Sequence, residues 1–159
     1  MNHTRFPYLG SDQALPDPYQ SGWLKVNNEL IELDKDNVSF AVSEGNIITT
    51  PADLATWCNA LYGSNTILNG DLHAQMIAAI PTNEEHVSYG LLTERNPPDI
   101  GYGHNGARPA YMTIMRYHPQ TKTSYVLFCN FLDADDLQGQ GDDLSQMVRE
   151  AIQAVETSR

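Results

Sequence analysis

The chain has 159 residues, of which 41% are hydrophobic and 18% charged, and its formal net charge is −11. This composition supports a packed core, and the length fits one domain or part of a larger one. The excess of carboxylates argues against a nucleic-acid partner, because phosphate backbones are bound by clustered Lys and Arg. No stretch approaches the ~18 apolar residues of a membrane span, and no signal peptide is recognisable after Met1, so the compartment stays open.

The first part of the chain is predicted to be mostly irregular. Prolines and glycines interrupt every period over residues 1–22. Partial alternation predicts short strands within residues 23–33, and a β-like stretch that begins at Val38 is predicted to end at Gly45.

Two helices are predicted next. Thr50 suits the N-cap of the first, Asp53 can close a capping box with it, and Gly63 is expected to end the helix. The apolar face predicted for this helix consists of Leu54, Trp57, Cys58 and Leu61. The second helix is predicted to begin near Asn69 and to stop at Pro81. Its apolar residues are Leu72, Met76, Ile77 and Ile80.

The period of the apolar residues then changes from helical to alternating. Strands are predicted around residues 87–91, over Tyr111–Tyr117 and over Ser124–Phe131, with a hairpin loop at residues 118–123. An acidic loop over residues 133–143 precedes a last helix. That helix carries Leu144, Met147, Val148, Ala151, Ile152 and Val155. The two long strands are apolar on both faces, which predicts an α+β fold whose antiparallel sheet is flanked by helices.

Several familiar sites are missing from the sequence. It contains no Gly-x-Ser-x-Gly, no Ser followed three residues later by Lys, no His-x-x-x-His and no Cys-x-x-Cys. The acidic segment from Asp133 has Gln138 where an EF-hand loop has glycine. No metal or cofactor is therefore predicted. Cys58 and Cys129 lie among apolar residues and are predicted to be free thiols.

The stretch GYGHNGARPAY, Gly101 to Tyr111, raises a choice between several kinds of site. The spacing of its glycines matches a Gly-x-Gly-x-x-Gly dinucleotide fingerprint. That fingerprint needs a helix that begins at the third glycine, whereas residues that alternate as in a β-strand follow Gly106. His104 has two interpretations. It is either a structural turn residue or a functional residue whose small neighbours let a ligand approach the backbone.

The same region resembles a known family. Tyr102 to Asn130 (YGHNGARPAYMTIMRYHPQTKTSYVLFCN) is similar to the third active-site motif and following hairpin of the serine β-lactamase-like superfamily. This group includes class C β-lactamases, D-alanyl-D-alanine carboxypeptidases, penicillin-binding proteins and related esterases. His104-Asn105-Gly106 stands where the family has Lys-Thr-Gly or His-x-Gly. The segments GNIITTPADLATWCNAL, TILNGDLHAQMI and MNHTRFP resemble other parts of the family.

The resemblance implies the C-terminal part of a β-lactamase/transpeptidase-like fold, with residues 1–159 as a single partial domain. The family's Ser-x-x-Lys and Tyr-x-Asn motifs are absent and would precede Met1, so we expect a fragment that lacks the nucleophile. The candidate site residues are His104, Asn105, Gly106 and Ala107. His104 would supply polarity or positive charge near the substrate carboxylate and the proton relay. The Ala107 N–H would donate a hydrogen bond to the oxyanion. The implied substrates of the full-length parent are peptidoglycan-type peptides, β-lactams or esters.

Two other functions stay open at this point. One is a non-catalytic α+β module that assembles through a bare sheet edge, either as a homo-oligomer or with the N-terminal part of the same enzyme. A dimer is expected on this ground. The other is a complete small hydrolase that uses His104 with a carboxylate, which no nucleophile in the sequence supports.

Overall fold

The structure, a computed structural model, describes residues 1–10, 14–33, 41–83, 87–95 and 97–158. The strands are β1 (Gly22–Val26), β2 (Glu29–Leu33), β3 (Ile80–Pro81), β4 (Ser88–Tyr89), β5 (Glu94–Arg95), β6 (Tyr102–Arg108), β7 (Tyr111–His118), β8 (Thr123–Cys129) and β9 (Phe131–Asp133). The helices are α1 (Pro51–Tyr62), α2 (Gly70–Ile77) and α3 (Leu137–Thr157). No helix among these residues is both long and apolar enough to cross a membrane.

Six strands form an antiparallel sheet in the order β3-β4-β5-β6-β7-β8. Its centre is the β6–β7 hairpin, whose register runs from Tyr102 opposite Tyr117 to Arg108 opposite Tyr111. Only Pro109 and Ala110 lie between the two strands. Ala110 has φ of 71° and is completely buried, although this left-handed conformation favours glycine.

A helix covers each face of this sheet. Alternate residues of β7 point to opposite faces, so Met112 and Ile114 pack with α3, whereas Met115 and Tyr117 pack with α1. The buried residues of the α3 side are Ile100, Met112, Ile114, Tyr125, Leu132, Leu144, Val148 and Ile152. Those of the α1 side are Cys58, Tyr62, Met76, Tyr102 and Tyr117. The prediction of a sheet covered on both sides is confirmed.

A smaller sheet has the order β2-β1-β9, with β1 antiparallel to β2 and parallel to β9. Asn27 and Asn28 form the β1–β2 turn, and both have left-handed φ values, 53° and 61°. Their consecutive N–H groups donate to the two carboxylate oxygens of Asp135, at 2.7 and 2.8 Å. An ion pair of 2.9 Å between Lys25 and Asp133 adds a second link. The hairpin is thereby attached to the loop that precedes α3.

The start of α1 was predicted only in part. The Thr50 hydroxyl accepts the Asp53 N–H at 3.3 Å, which confirms the N-cap. The Asp53 carboxylate does not complete a capping box in the hydrogen bonds of the described residues. It accepts instead from the His3 N–H and the Thr4 hydroxyl, both at 2.8 Å, and these bonds lower its pKa. Asp53 therefore attaches the N-terminal segment to the helix.

The predicted apolar face of α1 was wrong at Trp57, whose side chain is 37% exposed. The helix buries Cys58, as predicted, and also Tyr62, whose ring packs edge-on against Tyr102 of β6 with 5.4 Å between ring centroids. Gly63 ends the helix as predicted.

Other boundaries also differ from the predictions. Helix α2 begins after Asn69 as expected but ends at Ile77, and Ile80–Pro81 pair as strand β3. Residues 41–45 form turns rather than β structure, and residues 38–40 lie outside the described part of the chain. The long strand breaks at Asn130, so that Phe131 joins the smaller sheet. The acidic loop is shorter than predicted, because α3 already begins after its N-cap, Asp136.

Both cysteines are free thiols, as predicted, although Cys129 is only half-buried. Cys58 is fully buried, and burial raises the pKa of its thiol to about 11.

Candidate active site

The glycine-rich stretch is itself a strand, β6, which contains all four candidate site residues. Two glycines are required by the backbone, Gly101 directly before β6 and Gly103 within it. Gly101 has φ of 91°, and a Cβ built on Gly103 would overlap the carbonyl oxygen of Met115. Gly106 differs, because the nearest atom to a Cβ at that position would be the Thr113 Cβ, at 3.8 Å. A Cβ at Gly106 would thus make only an ordinary van der Waals contact, so packing among the described residues does not require glycine at this exposed position.

The course of β6 also decides against the dinucleotide fingerprint. The strand continues past Gly106 to Arg108 and turns directly into β7, whereas the fingerprint requires a helix that begins at its third glycine.

One edge of β6 is only partly paired. Strand β5 pairs with β6 at Gly103 in the described part of the chain. The Asn105 N–H points to the same edge, where it donates to the Glu94 carboxylate at 3.2 Å. Because backbone groups alternate along a strand, the Ala107 N–H points to this edge as well, beyond the end of β5. Ala107 is exposed. A ligand therefore has access to a backbone donor at this edge.

The imidazole of His104 is exposed and held at both nitrogens. Nε2 lies 2.6 Å from the Tyr89 hydroxyl, and Nδ1 lies 2.5 Å from the Asn105 carbonyl oxygen. The rings of Tyr89 and His104 are perpendicular, with 5.7 Å between centroids. A carbonyl oxygen only accepts hydrogen bonds, so Nδ1 must carry a proton. In the neutral ring, Nε2 is then the acceptor and the Tyr89 hydroxyl the donor.

A buried ion pair lies beneath the strand. Arg116 of β7 has no exposed surface, and its guanidinium lies 3.5 Å from the carboxylate of Glu94, which is 9% exposed. Burial lowers the pKa of Arg116, and the negative charge of Glu94 opposes that shift. Glu94 also accepts from both nitrogens of Asn105, the backbone one at 3.2 Å and the side-chain one at 3.4 Å. The pair therefore fixes the middle of β6.

Asn105 stands where the resembled family has Thr, and its amide is only half satisfied. Its Oδ1 is buried and has no hydrogen-bond partner among the described residues. A buried amide oxygen without a partner costs stability, on the order of 1–3 kcal/mol. It is consequently an acceptor that a bound group can satisfy.

No activated nucleophile contacts His104 in the described part of the chain. Its ring nitrogens bond to Tyr89 and to the Asn105 carbonyl, and neither partner is a serine or a thiol. Cys58 is buried, and its raised pKa keeps it as a thiol at neutral pH. The interpretation as a small hydrolase with its own nucleophile receives no support from these contacts.

Other kinds of candidate site in the described residues would be a metal cluster or a cavity. Those residues contain no group of three or more His, Cys, Asp or Glu that could hold a metal ion. A cavity of about 470 Å³ lies at the start of α3 and shares no residue with the candidate site. Its lining consists of Phe131, Asp133, Asp136, Gly139, Gln140, Asp143 and Leu144.

His104 to Ala107 are consecutive residues of β6 and so lie together in the structure. Three further residues, which the sequence did not indicate, contact them or support them: Tyr89, Glu94 and Arg116. Only Arg116 had a local signal, since it is a charged residue within an apolar strand. Tyr89 and Glu94 come from the short β4–β5 hairpin, and their role depends on pairing that sequence periodicity does not report.

Solved structures share this fold. The D-amino acid amidase from Ochrobactrum anthropi SV3, complexed with L-phenylalanine, superposes with a TM-score of 0.82 at 18% identity, over 100% of this chain and 50% of that one. Its complex with L-phenylalanine amide gives 0.72 at 20% identity, over 98% and 48%. The D-stereospecific amidohydrolase from Streptomyces sp. gives 0.69 at 22% identity, over 82% and 39%. No protein-family profile matches the chain.

At these identities the likeness establishes the fold. The chain has the α+β architecture of the C-terminal portion of a penicillin-recognising fold, as the sequence predicted. It spans half or less of the length of the structures it matches.

Proposed function

We propose that this chain forms one wall of the acyl-transfer site of a serine hydrolase. The observation that carries the proposal is β6 itself. The strand presents His104, the exposed Gly106 and the Ala107 N–H along one accessible segment, while no serine or thiol of the described residues contacts the histidine. The serine then comes from chain outside these 159 residues, either an N-terminal part of the same enzyme or another subunit.

Each residue has a distinct role in such a site. The Ala107 N–H is one of two donors to the oxyanion of a tetrahedral intermediate, the second being the N–H of the nucleophilic serine. Losing one such donor raises the barrier by ~2.7–4 kcal/mol. His104 lies three residues before this donor on the same strand and serves proton transfer or charge stabilisation beside the reacting atoms. Gly106 leaves room for the acyl group.

The substrate class that the fold neighbours favour is an amide of a D-amino acid. One neighbour is named a D-amino acid amidase, and the other is named a D-stereospecific amidohydrolase. The same site chemistry also suits the other candidates, which are a D-Ala-D-Ala carboxypeptidase, a β-lactamase and an esterase. D-phenylalanine amide, a D-Ala-D-Ala peptide, a penicillin and a simple ester therefore form the substrate panel.

Acylation by a mechanism-based probe tests the proposal. The 159-residue chain alone should not be labelled by a fluorescent penicillin or a fluorophosphonate, whereas the parent that contains the upstream segment should be labelled once per chain. In that parent, His104→Ala should slow acylation by roughly 10²–10⁴-fold. His3→Ala is the matched control, since His3 is exposed and makes its bond to Asp53 through the backbone.

Two outcomes would contradict the proposal. Stoichiometric labelling of a serine within the isolated chain would show that the chain has its own nucleophile. An unchanged acylation rate in the His104→Ala parent would show that His104 has only a structural role.

A non-catalytic assembly module is the second candidate, favoured by the position of β8. This strand is last in the sheet order, and two large apolar side chains, Phe128 and Trp57, are 42% and 37% exposed on β8 and on the helix that packs against it. Unpaired edges promote pairing with another chain, so a dimer is expected. Sedimentation equilibrium that showed a monomer at high concentration would contradict this candidate.

A further inference from the structure

Tyr89 reaches the candidate site from outside β6. It ends the two-residue strand β4, and a tight turn closed by a 2.7 Å bond from the Gly90 N–H to the Thr93 carbonyl leads back to β5. Tyr89 pairs across this hairpin with Glu94, whose carboxylate holds Asn105. The position of the tyrosine is therefore linked to the middle of β6 through backbone pairing.

The contacts of His104 determine which of its two ring nitrogens carries the proton in the neutral form. Nδ1 donates to the Asn105 carbonyl of its own strand. The Tyr89 hydroxyl lies 2.6 Å from Nε2 and donates to it. This is the Nδ1–H tautomer, the opposite of the one that free imidazole side chains favour in water. Which nitrogen carries the proton depends on the bond that the other one makes.

We propose that Tyr89 is a positioning residue for His104: its hydroxyl donates to Nε2 and keeps the exposed imidazole in one tautomer and one orientation. The catalytic value of this arrangement rests on the proposed acyl-transfer function. A histidine that is free to rotate on the surface samples several rotamers, and ordering it before reaction removes that entropy from the barrier. The perpendicular ring of Tyr89 adds a steric limit to rotation about the His104 side chain.

The tautomer is measurable without any activity. In the isolated chain labelled with ¹⁵N-histidine, long-range ¹H–¹⁵N spectra should show neutral His104 as the Nδ1–H form, with the signal assigned by its loss in His104→Gln. Tyr89→Phe keeps the ring and removes the hydroxyl. It should shift the tautomer ratio towards Nε2–H by about five-fold, which corresponds to the ~1 kcal/mol of one hydrogen bond. Tyr8→Phe is the control, because Tyr8 is 70% exposed and distant in sequence.

Two results of this measurement would overturn the proposal. One is a wild-type His104 that is mainly the Nε2–H tautomer. The other is a Tyr89→Phe spectrum whose tautomer ratio equals that of wild type.

Kinetics of the acylating parent test the catalytic consequence. Tyr89→Phe should lower kcat about ten-fold with KM nearly unchanged, since the hydroxyl orients the histidine rather than the substrate. An unchanged kcat in a parent that is acylated would overturn the positioning role while the acyl-transfer function stands. If no parent is acylated by any probe, the proposed function fails, and the catalytic role of Tyr89 fails with it. A confirmed tautomer would then show only that Tyr89 orients His104 in the folded chain.

Discussion

The two ends of β6 use glycine for different reasons. At the beginning, Gly101 adopts a left-handed φ and Gly103 faces the Met115 carbonyl, so no side chain fits. At the far end, a Cβ on Gly106 would meet only the Thr113 Cβ, at 3.8 Å, and Ala107 lies exposed at an open edge. The first half of the stretch thus serves the close approach of β6 to β7, whereas packing does not require glycine in the second half, which is accessible to a ligand. One glycine-rich motif contains both a folding requirement and a candidate binding surface.

The largest expected effect comes from the buried pair between these two halves. Arg116→Met should lower the free energy of unfolding by about 3–5 kcal/mol, because Glu94 is left buried without its partner. Urea denaturation of the chain measures this loss. The double variant Glu94→Leu/Arg116→Met should recover most of it, since neither charge is then isolated. A double variant as unstable as the single one would contradict this account of the pair.

Substituting the glycines compares the two halves directly. Gly103→Ala should destabilise the chain by about 3 kcal/mol, because the methyl group meets backbone that cannot move aside. Gly106→Ala should leave stability within ~0.5 kcal/mol of wild type. In an acylating parent the order of the two variants should reverse for the acylation rate, so that Gly106→Ala slows acylation more than Gly103→Ala does. Equal thermal shifts in the two variants would remove the distinction between the two halves of β6.

The smallest effect concerns the turn before β6. Arg149 of α3 donates to both oxygens of Asp99, at 2.6 and 3.4 Å, and this interaction lowers the pKa of Asp99 below its ordinary value of 3.8. A carboxyl with a lowered folded pKa contributes stability above its unfolded pKa and loses it as pH falls further. Asp99→Asn should therefore cost less than ~1 kcal/mol at pH 7, as exposed pairs do, and should weaken the acid dependence of stability below about pH 4. Acid titrations of both proteins in urea check this. Identical acid profiles would exclude a role for the pair.

The sequence predicted the long strands well because aromatic and β-branched residues are frequent over Tyr111–Tyr117 and neither Gly nor Pro interrupts them. The propensity pattern did not predict β6 as a strand, since Gly and Asn have low β-propensity and pairing with β7 supplies the conformation instead. Only the family resemblance placed His104-Asn105-Gly106 at the opening of a strand. Trp57 was assigned to the core because helical spacing identifies a face but not the neighbour that it meets. Tyr62 packs against Tyr102, and this contact rotates the buried side of α1 away from Trp57.

The candidate site was predicted only along its own strand. His104 to Ala107 came from a motif resemblance, which reports consecutive residues. Tyr89 and Glu94 reach the site through the short β4–β5 hairpin. The alternation around residues 87–91 predicts a strand there, but it does not predict which strand pairs with it. Contacts of this kind depend on tertiary structure and are visible only once strands are paired.

The attachment of the β1–β2 turn to Asp135 has a consequence during protein synthesis. The two bonded residues, Asn27 and Asp135, are 108 positions apart. At translation rates of ~5–20 residues per second, the hairpin leaves the ribosome about 5–20 s before its partner strand β9 and the carboxylate that fixes its turn. A two-stranded hairpin alone is only marginally stable in water. The nascent chain therefore carries an unpaired β1 edge until β9 and Asp135, which lie within the last fifth of these residues, have been made.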